Sequence, residues 1–532
     1  MFNINKLSIW HSFIFLVATI FLIPILIIGS SIFLGFSDNF YHLYENLLFE
    51  YSLNSIALVF GVSCLVTIIG VTTAWLVTFF NFSGKNFFQW ALILPLAVPP
   101  YLLAYVFTEF FDYSGTANNF LRSFLSTESD IVFFPNIRTI YGAIAVFSFT
   151  LYPYVYMVSR VALMNIQPSL IEASKLLGRN SISTFFNLLI PIIRPAIIAG
   201  VSLVAMETLS DFGAVQHFAI PTFTTGIFRT WTGLYDLNTA LQLSTILIIV
   251  IFCFFAIEKN SRNKIRYDNS TTSKNSYKPI HLKKFQNVAA FLFCLMPVFI
   301  GFFLPVLELI NWSIQVENIF SPKAAIAASN TLYVSVIATI LICFITLITN
   351  FTVRSFGMSQ LINDILSLGY AVPGLILAVG ITKMFTSLDS LLINFNTFIT
   401  GSILGLILAY IIKTYAISNN VLNSAYTSIP ISLDESAKTL GTEKISLLKT
   451  IHIPMLKTGL ITAFLLVMAE LIKELPATLI LRPFNFDTLA VSVYLLASEE
   501  RMFEAAFPGL MIIIFGLIPI YFLNKLILRE NG

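Results

Sequence analysis

Apolar residues in this chain come in long runs rather than alternating with polar ones. Twelve runs stand out, near 12–34, 53–80, 88–108, 140–163, 192–212 and 238–257, then 286–310, 328–352, 361–384, 400–417, 455–475 and 504–524. A helix that crosses a bilayer needs ~20 mostly apolar residues, and each run approaches or exceeds that length. The first is too long for a plain signal peptide and has no small-x-small cleavage site after it, so it is expected to remain as a helix. The pattern predicts an all-α polytopic membrane protein of about twelve transmembrane helices.

Composition agrees. Of 532 residues, 57% are hydrophobic and 11% charged, against about 25% charged in soluble domains. Secreted, collagen-like and disordered classes are excluded, as is an ordinary cytosolic enzyme. The net charge of +3, from 30 basic and 27 acidic residues, gives no reason to expect a nucleic-acid partner. Position matters more than balance, because Lys and Arg accumulate on the cytoplasmic side. The stretch 35–52 has Asp38, Glu45 and Glu50 but no Lys or Arg, which places it outside. Lys85, the loop with Lys175 and Arg179, and the loop with Lys438, Lys444 and Lys449 belong inside. Residues 258–285 hold Lys259, Arg262, Lys264, Arg266, Lys274, Lys278, Lys283 and Lys284 against Glu258 and Asp268. That stretch reads as a cytoplasmic basic linker between a first repeat, 1–257, and a second, 286–532. An even span count puts both termini in the cytoplasm. Cys64, Cys253, Cys294 and Cys343 lie in apolar runs without CxxC spacing and are expected to be buried thiols.

The halves repeat in sequence. Glu172, Gly178 and Pro191 in EASKLLGRNSISTFFNLLIP match Glu435, Gly441 and Pro454 in ESAKTLGTEKISLLKTIHIP, each pair 263 residues apart. Glu207 and Asp211 match Glu470 and Glu474 at the same spacing, and Ala97-Val98-Pro99 recurs as Ala371-Val372-Pro373. Both loop copies are cytoplasmic by charge, so the two six-helix repeats run parallel. That implies a pseudo-two-fold axis along the membrane normal, with a pathway between the halves.

Within the first loop, Leu170, Leu176 and Leu177 form an apolar stripe on a short helix, and Gly178 permits a sharp turn. A second amphipathic stretch with Ile182, Phe185 and Leu188 follows, and Pro191 punctuates re-entry into the membrane. One such helix-turn-helix is compatible with simple rest on the bilayer interface. Two copies with Glu-x5-Gly-x12-Pro spacing resemble the EAA loop of binding-protein-dependent ABC importer permeases. Ala173 and Ser174 follow that family's pattern, and Ser436 and Ala437 show it one substitution away. Lys449 and His452 depart from a purely apolar second helix. The resemblance implies a type I importer permease fold and coupling helices, one for each ATP-hydrolysing subunit, with Glu172 and Glu435 contacting or capping within them. The segments 206–231 and 473–494 further resemble fused two-repeat permeases of bacterial ferric-iron importers. That implies the bacterial inner membrane, ferric iron as substrate, a periplasmic iron-binding protein outside and two ATP-binding subunits inside. Ser83-Gly84-Lys85 lacks the upstream glycine and following hydroxyl of a phosphate loop. The chain is thus expected to bind no cofactor and catalyse no reaction itself, leaving ATP to its partners.

Glu207 sits ~22 Å into its span at ~1.5 Å per residue, with Asp211 one turn on, and Glu470 and Glu474 repeat the pair. A charge at membrane depth costs ~2.5–3.5 kcal/mol or more and usually faces protein or water. The four acids are candidates for a translocation pathway suited to a hard cation. Equally open is a set of helix-end acids solvated at the outer interface, or neutralised by Lys473 and Arg482. No metal ligand is firmly assigned. Tyr101, Tyr105 and His217 read as rim anchors, and Pro99, Pro100 and Pro373 as kinks. A twelve-helix secondary transporter matches the span count, but NFSGKNF lacks the charged loop pattern of the major facilitator family. Thiamine, a polyamine or a phosphonate remain alternative cargoes for an ABC permease.

Overall fold

A computed structural model describes residues 9–126, 131–263, 279–316, 321–392 and 398–530. In the first half, α1 (Ile9–Ser30) and α2 (Leu48–Phe79) are followed by a broken third span ending in α3 (Pro100–Phe111), then by α4 (Ile140–Met164). A surface pair, α5 (Pro168–Leu176) and α6 (Ser181–Thr184), leads into α7 (Ile190–Ser210). Two short helices, α8 (Gly213–His217) and α9 (Phe223–Thr232), precede α10 (Leu237–Asn263). The second half repeats the series. It runs through α11 (Lys284–Val298), α12 (Leu304–Ile314), α13 (Pro322–Phe356), α14 (Gly374–Leu392) and α15 (Ile403–Thr427). The surface pair α16 (Ile431–Thr439) and α17 (Lys444–Leu447) follows, then α18 (Lys457–Ile472), α19 (Pro476–Leu481), α20 (Leu489–Ser498) and α21 (Met502–Glu530).

Among the described residues ten helices are long and apolar enough to cross a membrane, or twelve when two bent pairs count as single spans. All twelve predicted runs fall on these elements. The run at 88–108 is not one straight helix, however. It turns by 89° between Lys85–Ala97 and Pro100–Leu125. Val98 is extended there, and Pro99 and Pro100 withhold the N–H groups a continuous helix needs. The run at 361–384 breaks likewise: a 3-10 turn over Ser367–Ala371 and an extended Val372 precede Pro373 and α14.

The repeat is as regular in backbone as in sequence. Helices α5 and α16 start and end 263 residues apart, and so do α6 and α17. Each surface pair then passes through a five-residue π-helical turn, Phe185–Leu189 and Leu448–His452, again at that spacing.

The apolar cores do not follow the boundary between the halves. One joins α2, α3, α4 and α7 to α11, α12, α20 and α21. Another joins α1, α9 and α10 to α13, α14, α15 and α18. The first helix of each half therefore packs on the broken third span of the other: α1 on α14, and α12 on α3. Of the predicted linker, residues 258–263 continue α10, and Lys264, Arg266, Asp268, Lys274 and Lys278 lie outside the described residues. Its far end is pinned. Strand β2 (Ile280–His281) pairs in parallel with β1 (Phe80–Asn81), and Asn287 accepts from the Ser83 N–H at 2.8 Å.

Two expectations need correction. Only Cys294 is buried among the cysteines; Cys64 and Cys253 are exposed on the outer faces of α2 and α10, where an apolar run meets lipid rather than protein. The loop residues Leu170, Leu176, Leu177 and Ile182 point away from the body, while Ile171, Ser174, Thr184 and Phe185 face it. The apolar stripe of Leu170, Leu176 and Leu177 is thus the outward face of the loop, not the one that seats it on the body.

The α1–α14 contact gives a direct test of the crossed core. A Cβ on Gly380 would lie 2.8 Å from Ile28 Cδ1 and 3.0 Å from the Pro24 carbonyl. Gly380→Val is expected to cost ~1–3 kcal/mol through overpacking. Gly29→Ala, with nothing near its new methyl, should leave the melting temperature of the detergent-purified chain unchanged.

Candidate functional site: paired surface loops and a carboxylate-lined cavity

Each surface loop is built on the same helix ending. At Gly178 the chain takes φ +79°, and at Gly441 φ +75°, in the left-handed region where a Cβ is strained. The Gly178 N–H donates to Lys175 O (2.9 Å) and the Arg179 N–H to Ser174 O (3.2 Å). The second copy repeats both bonds, Gly441 to Lys438 O (3.0 Å) and Thr442 to Ala437 O (3.0 Å). This is the Schellman ending, which satisfies carbonyls that a helix end would otherwise leave bare. Asn180 caps α6 by accepting from the Ser183 N–H at 2.7 Å. Glu172 therefore does not serve as the cap of α6. It is exposed on α5 with Ala173, as Glu435 and Ser436 are on α16. Pro191 stands in the first turn of α7, whereas Pro454 lies in a short helical segment, Ile453–Met455, after which the chain bends by 72° into α18.

The two loops are seated differently. Ser174 Oγ meets Thr184 Oγ1 at 2.9 Å under the first, where the second has Ala437 and Leu447, also buried. Under the second loop Asp434 receives Arg354 Nε at 2.7 Å and His452 Nε2 at 2.9 Å. Burial works against the Asp434 charge, but the hydrogen bonds from Arg354 and His452 outweigh it and hold the carboxyl below its usual range.

The four acids flagged in sequence converge. Glu207, Asp211, Glu470 and Glu474 line one cavity of about 80 Å³ between the halves, together with Pro99, Pro100, Tyr101, Thr150, Tyr154, Lys413 and Lys473. One water needs roughly 10–15 Å³ of such space, so the cavity takes a few waters or one small ion. The acids are not solvated helix ends at an outer surface. Asp211 also leaves the helical face of Glu207, because α7 stops at Ser210. Its carboxylate accepts from the N–H groups of Ala214 (2.9 Å) and Val215 (3.4 Å), opening α8. Glu474 does the same for α19, accepting from Ala477 N–H (3.3 Å), Thr478 N–H (3.3 Å) and Thr478 Oγ1 (3.1 Å).

Of the two cations expected to neutralise the acids, Lys473 does so and Arg482 does not. Lys473 pairs with Glu470 at 2.9 Å, but Glu474 takes its cation from Lys413 at 3.0 Å. Arg482 is engaged with Asp487. Glu207 has the weakest partner of the four, the Tyr370 hydroxyl at 3.4 Å. Tyr101 and Tyr105 are buried, and His217 packs on the Tyr105 ring with Nε2 3.0 Å from Thr108 Oγ1, so these three are interior groups rather than rim anchors. Pro99 and Pro100 both break a span and line the cavity. Sequence reasoning passed over Lys413, although a lone lysine within an apolar run is itself a signal of an interior polar site. Its counterpart 263 residues earlier is Thr150, which lines the same cavity. Among the described residues no three His, Cys, Asp or Glu side chains form a group that could hold a metal ion.

Two parallel six-span halves around a shared polar cavity, with twin loops on one face, describe a membrane permease. Residues 66–258 match the family of binding-protein-dependent transport system inner membrane components. Over most of its length the chain is similar to the Fe(3+)-transport system permease protein FbpB 2 of Haemophilus influenzae, at 25% identity over 467 residues, 86% of each chain. The ferric transport system permease protein FbpB of Actinobacillus pleuropneumoniae is 25% identical over 470 residues, 83% of this chain and 65% of that protein. The sulfate transport system permease protein CysT of Salmonella typhimurium matches 155 residues at 28% identity, 29% of this chain and 52% of its own. The chain is thus similar to multi-pass inner-membrane permeases of binding-protein-dependent transport, over 66–258 to the family and over most of its length to ferric-iron permeases.

Removing one member of a buried ion pair leaves the other charge uncompensated, at a typical cost of ~3–5 kcal/mol. Lys413→Met is therefore expected to lower the melting temperature of the purified chain sharply. Lys413→Met combined with Glu474→Gln should recover most of the loss.

Proposed function

We propose that this chain is the membrane subunit of an ABC importer that carries ferric iron, handed over by a periplasmic binding protein, into the cytoplasm. The observation that carries the reading is the duplicated loop. Two Schellman turns 263 residues apart each present an apolar crown, Leu176, Leu177 and Ile182 on one and Leu440 and Ile445 on the other, all exposed. Each crown lies next to an exposed glutamate, Glu172 or Glu435. An exposed apolar patch of this kind fits a protein partner, and two such patches suit two ATP-binding subunits. ATP is bound and hydrolysed by those subunits, and this chain needs no cofactor. The distribution of Lys and Arg supports a cytoplasmic side for the loops, the 258–285 linker and both termini.

Closure of the ATPase dimer draws α5–α6 and α16–α17 together and opens the outer side of the cavity to the loaded binding protein. Hydrolysis and product release return the inward-facing state. Glu207, Asp211, Glu470 and Glu474 line the pathway between the halves, where a net excess of carboxylate over Lys413 and Lys473 favours a cation. A passing ion must also leave, which suits weak and shared contacts better than a coordination cage. Relatives named for sulfate transport match under a third of the chain, and an acid-rich cavity disfavours oxyanions and phosphonates. Thiamine and polyamines remain cationic alternatives. A secondary transporter has no use for twin docking crowns.

Proline forbids positive φ and removes the N–H that bonds to Lys175 or Lys438. Gly178→Pro with Gly441→Pro is expected to lower ATP-dependent uptake of radiolabelled iron by about tenfold or more, at unchanged membrane levels. Uptake equal to wild type, or wild-type vesicles that move iron on an ion gradient without ATPase subunits, would refute the reading.

A further inference from the structure

The two loops share a backbone but not a foundation. At positions 263 residues apart, Ile171 and Leu189 under the first loop are replaced by Asp434 and His452 under the second, and all four are buried. Around the first, Phe185 stacks on Trp75 at 4.4 Å, and Ile171 and Leu189 join the large apolar core. The Ser174–Thr184 hydrogen bond ties α5 to α6 within the loop, whereas Ile171, Phe185 and Leu189 meet the body through non-directional contacts, which tolerate small sliding.

The second seat is directional. Arg354, in the last turn of α13, gives Nε to Asp434, one terminal nitrogen to Tyr426 O (2.8 Å), and the other to Ile429 O (3.0 Å) and Pro430 O (3.2 Å). One guanidinium thus fixes the end of α15, the connection and the first turn of α16. Asp434 passes the constraint on to His452 in the π turn that leads towards α18. The His452 ring is wedged between Phe351 and Tyr426, 5.3 and 5.5 Å away and both nearly edge-on. The matching end of α2, Val77–Phe80, carries no charge. The apolar version folds in the same molecule, so a charged seat is not a requirement of the loop architecture. Exchanging a buried ionic group for well-packed apolar residues is often neutral or stabilising.

We propose that Arg354, Asp434 and His452 act as positioning residues that clamp the second surface loop rigidly to α13, α15 and the re-entering helix. The first loop rides on a compliant apolar seat. The inference rests on the coupling role proposed for the loops: the second is then the stiff transmitter of ATPase motion, and the two docking sites are not mechanically interchangeable.

Two measurements on the full chain separate this claim from the function it builds on. In the permease alone, amide hydrogen exchange of 431–439 should be at least about tenfold slower than that of 168–176. Asp434→Ile with His452→Leu, the residues of the first loop, should bring the two rates together. In the complex assembled with its ATPase subunits, that double variant should assemble and hydrolyse ATP within about twofold of wild type, while iron moved per ATP falls about tenfold. Should the double variant fail to fold, Arg354→Lys, which keeps the charge but loses the forked contacts, should still speed exchange over 431–439 and lower the transport ratio.

Equal exchange of the two loops in the wild type overturns the clamp, whatever the cargo. So does a folded double variant with wild-type transport per ATP, or an Arg354→Lys chain with unchanged exchange. A wild-type complex that shows the exchange difference but no ATP-driven iron uptake upholds the clamp and refutes the importer reading instead.

Discussion

The constraint on which this structure turns is that backbone polar groups inside a bilayer have no water to bond to. Helices meet it automatically, and breaks in helices do not. This chain breaks its spans at symmetry-related places: before Pro99 and Pro373, and after Ser210 and Ile472. Each break can exist only where protein or a water-filled cavity surrounds it. Asp211 and Glu474 answer the requirement by accepting from the bare N–H groups that open α8 and α19. Their carboxylates then stand at the centre of the molecule, and Lys413 follows to balance Glu474. The acids have both structural and electrostatic consequences, and asking whether they are caps or cavity lining sets a false alternative.

Crossing of the cores has a comparable logic. A broken third span leaves an irregular flank that its own half does not cover. The first helix of the opposite half lies over that flank, α1 on α14 and α12 on α3. The halves are repeats in sequence yet are not separable bodies in space. Relative motion of the two sides of the cavity must therefore involve helices from both repeats, which suits rocking of crossed bundles better than sliding of two domains.

Duplication also exposes what has since diverged. Backbone features survive in both copies: the positive-φ glycine, the Schellman bonds and the π turn. Buried side chains beneath them do not. Ser174 and Thr184 correspond to Ala437 and Leu447, and Ile171 and Leu189 to Asp434 and His452. Each exchange trades apolar packing for a directional bond, or the reverse, at fixed geometry. The molecule thus carries its own comparison of the two kinds of seat.

The twelve runs, the 263-residue repeat, the loop spacing and the four paired acids were all legible in the sequence. Each depends on local quantities: the apolar length a bilayer demands, the φ only glycine adopts cheaply, and the cost of burying charge. Three things were not legible. Leu170, Leu176 and Leu177 stand out as the apolar stripe of their helix, and only the fold shows that Ile171 and Ser174, on another face, seat it. Cys64 and Cys253 sit in runs as apolar as that of Cys294, because lipid and protein interior impose the same composition. The partner of Glu474 was missed because Lys413 is 61 residues away, while the adjacent Lys473, read correctly as a neutralising cation, pairs with Glu470. Periodicity and composition report what a residue's surroundings are made of; which chain segment supplies those surroundings is fixed by crossing helices, and only the tertiary structure decides it.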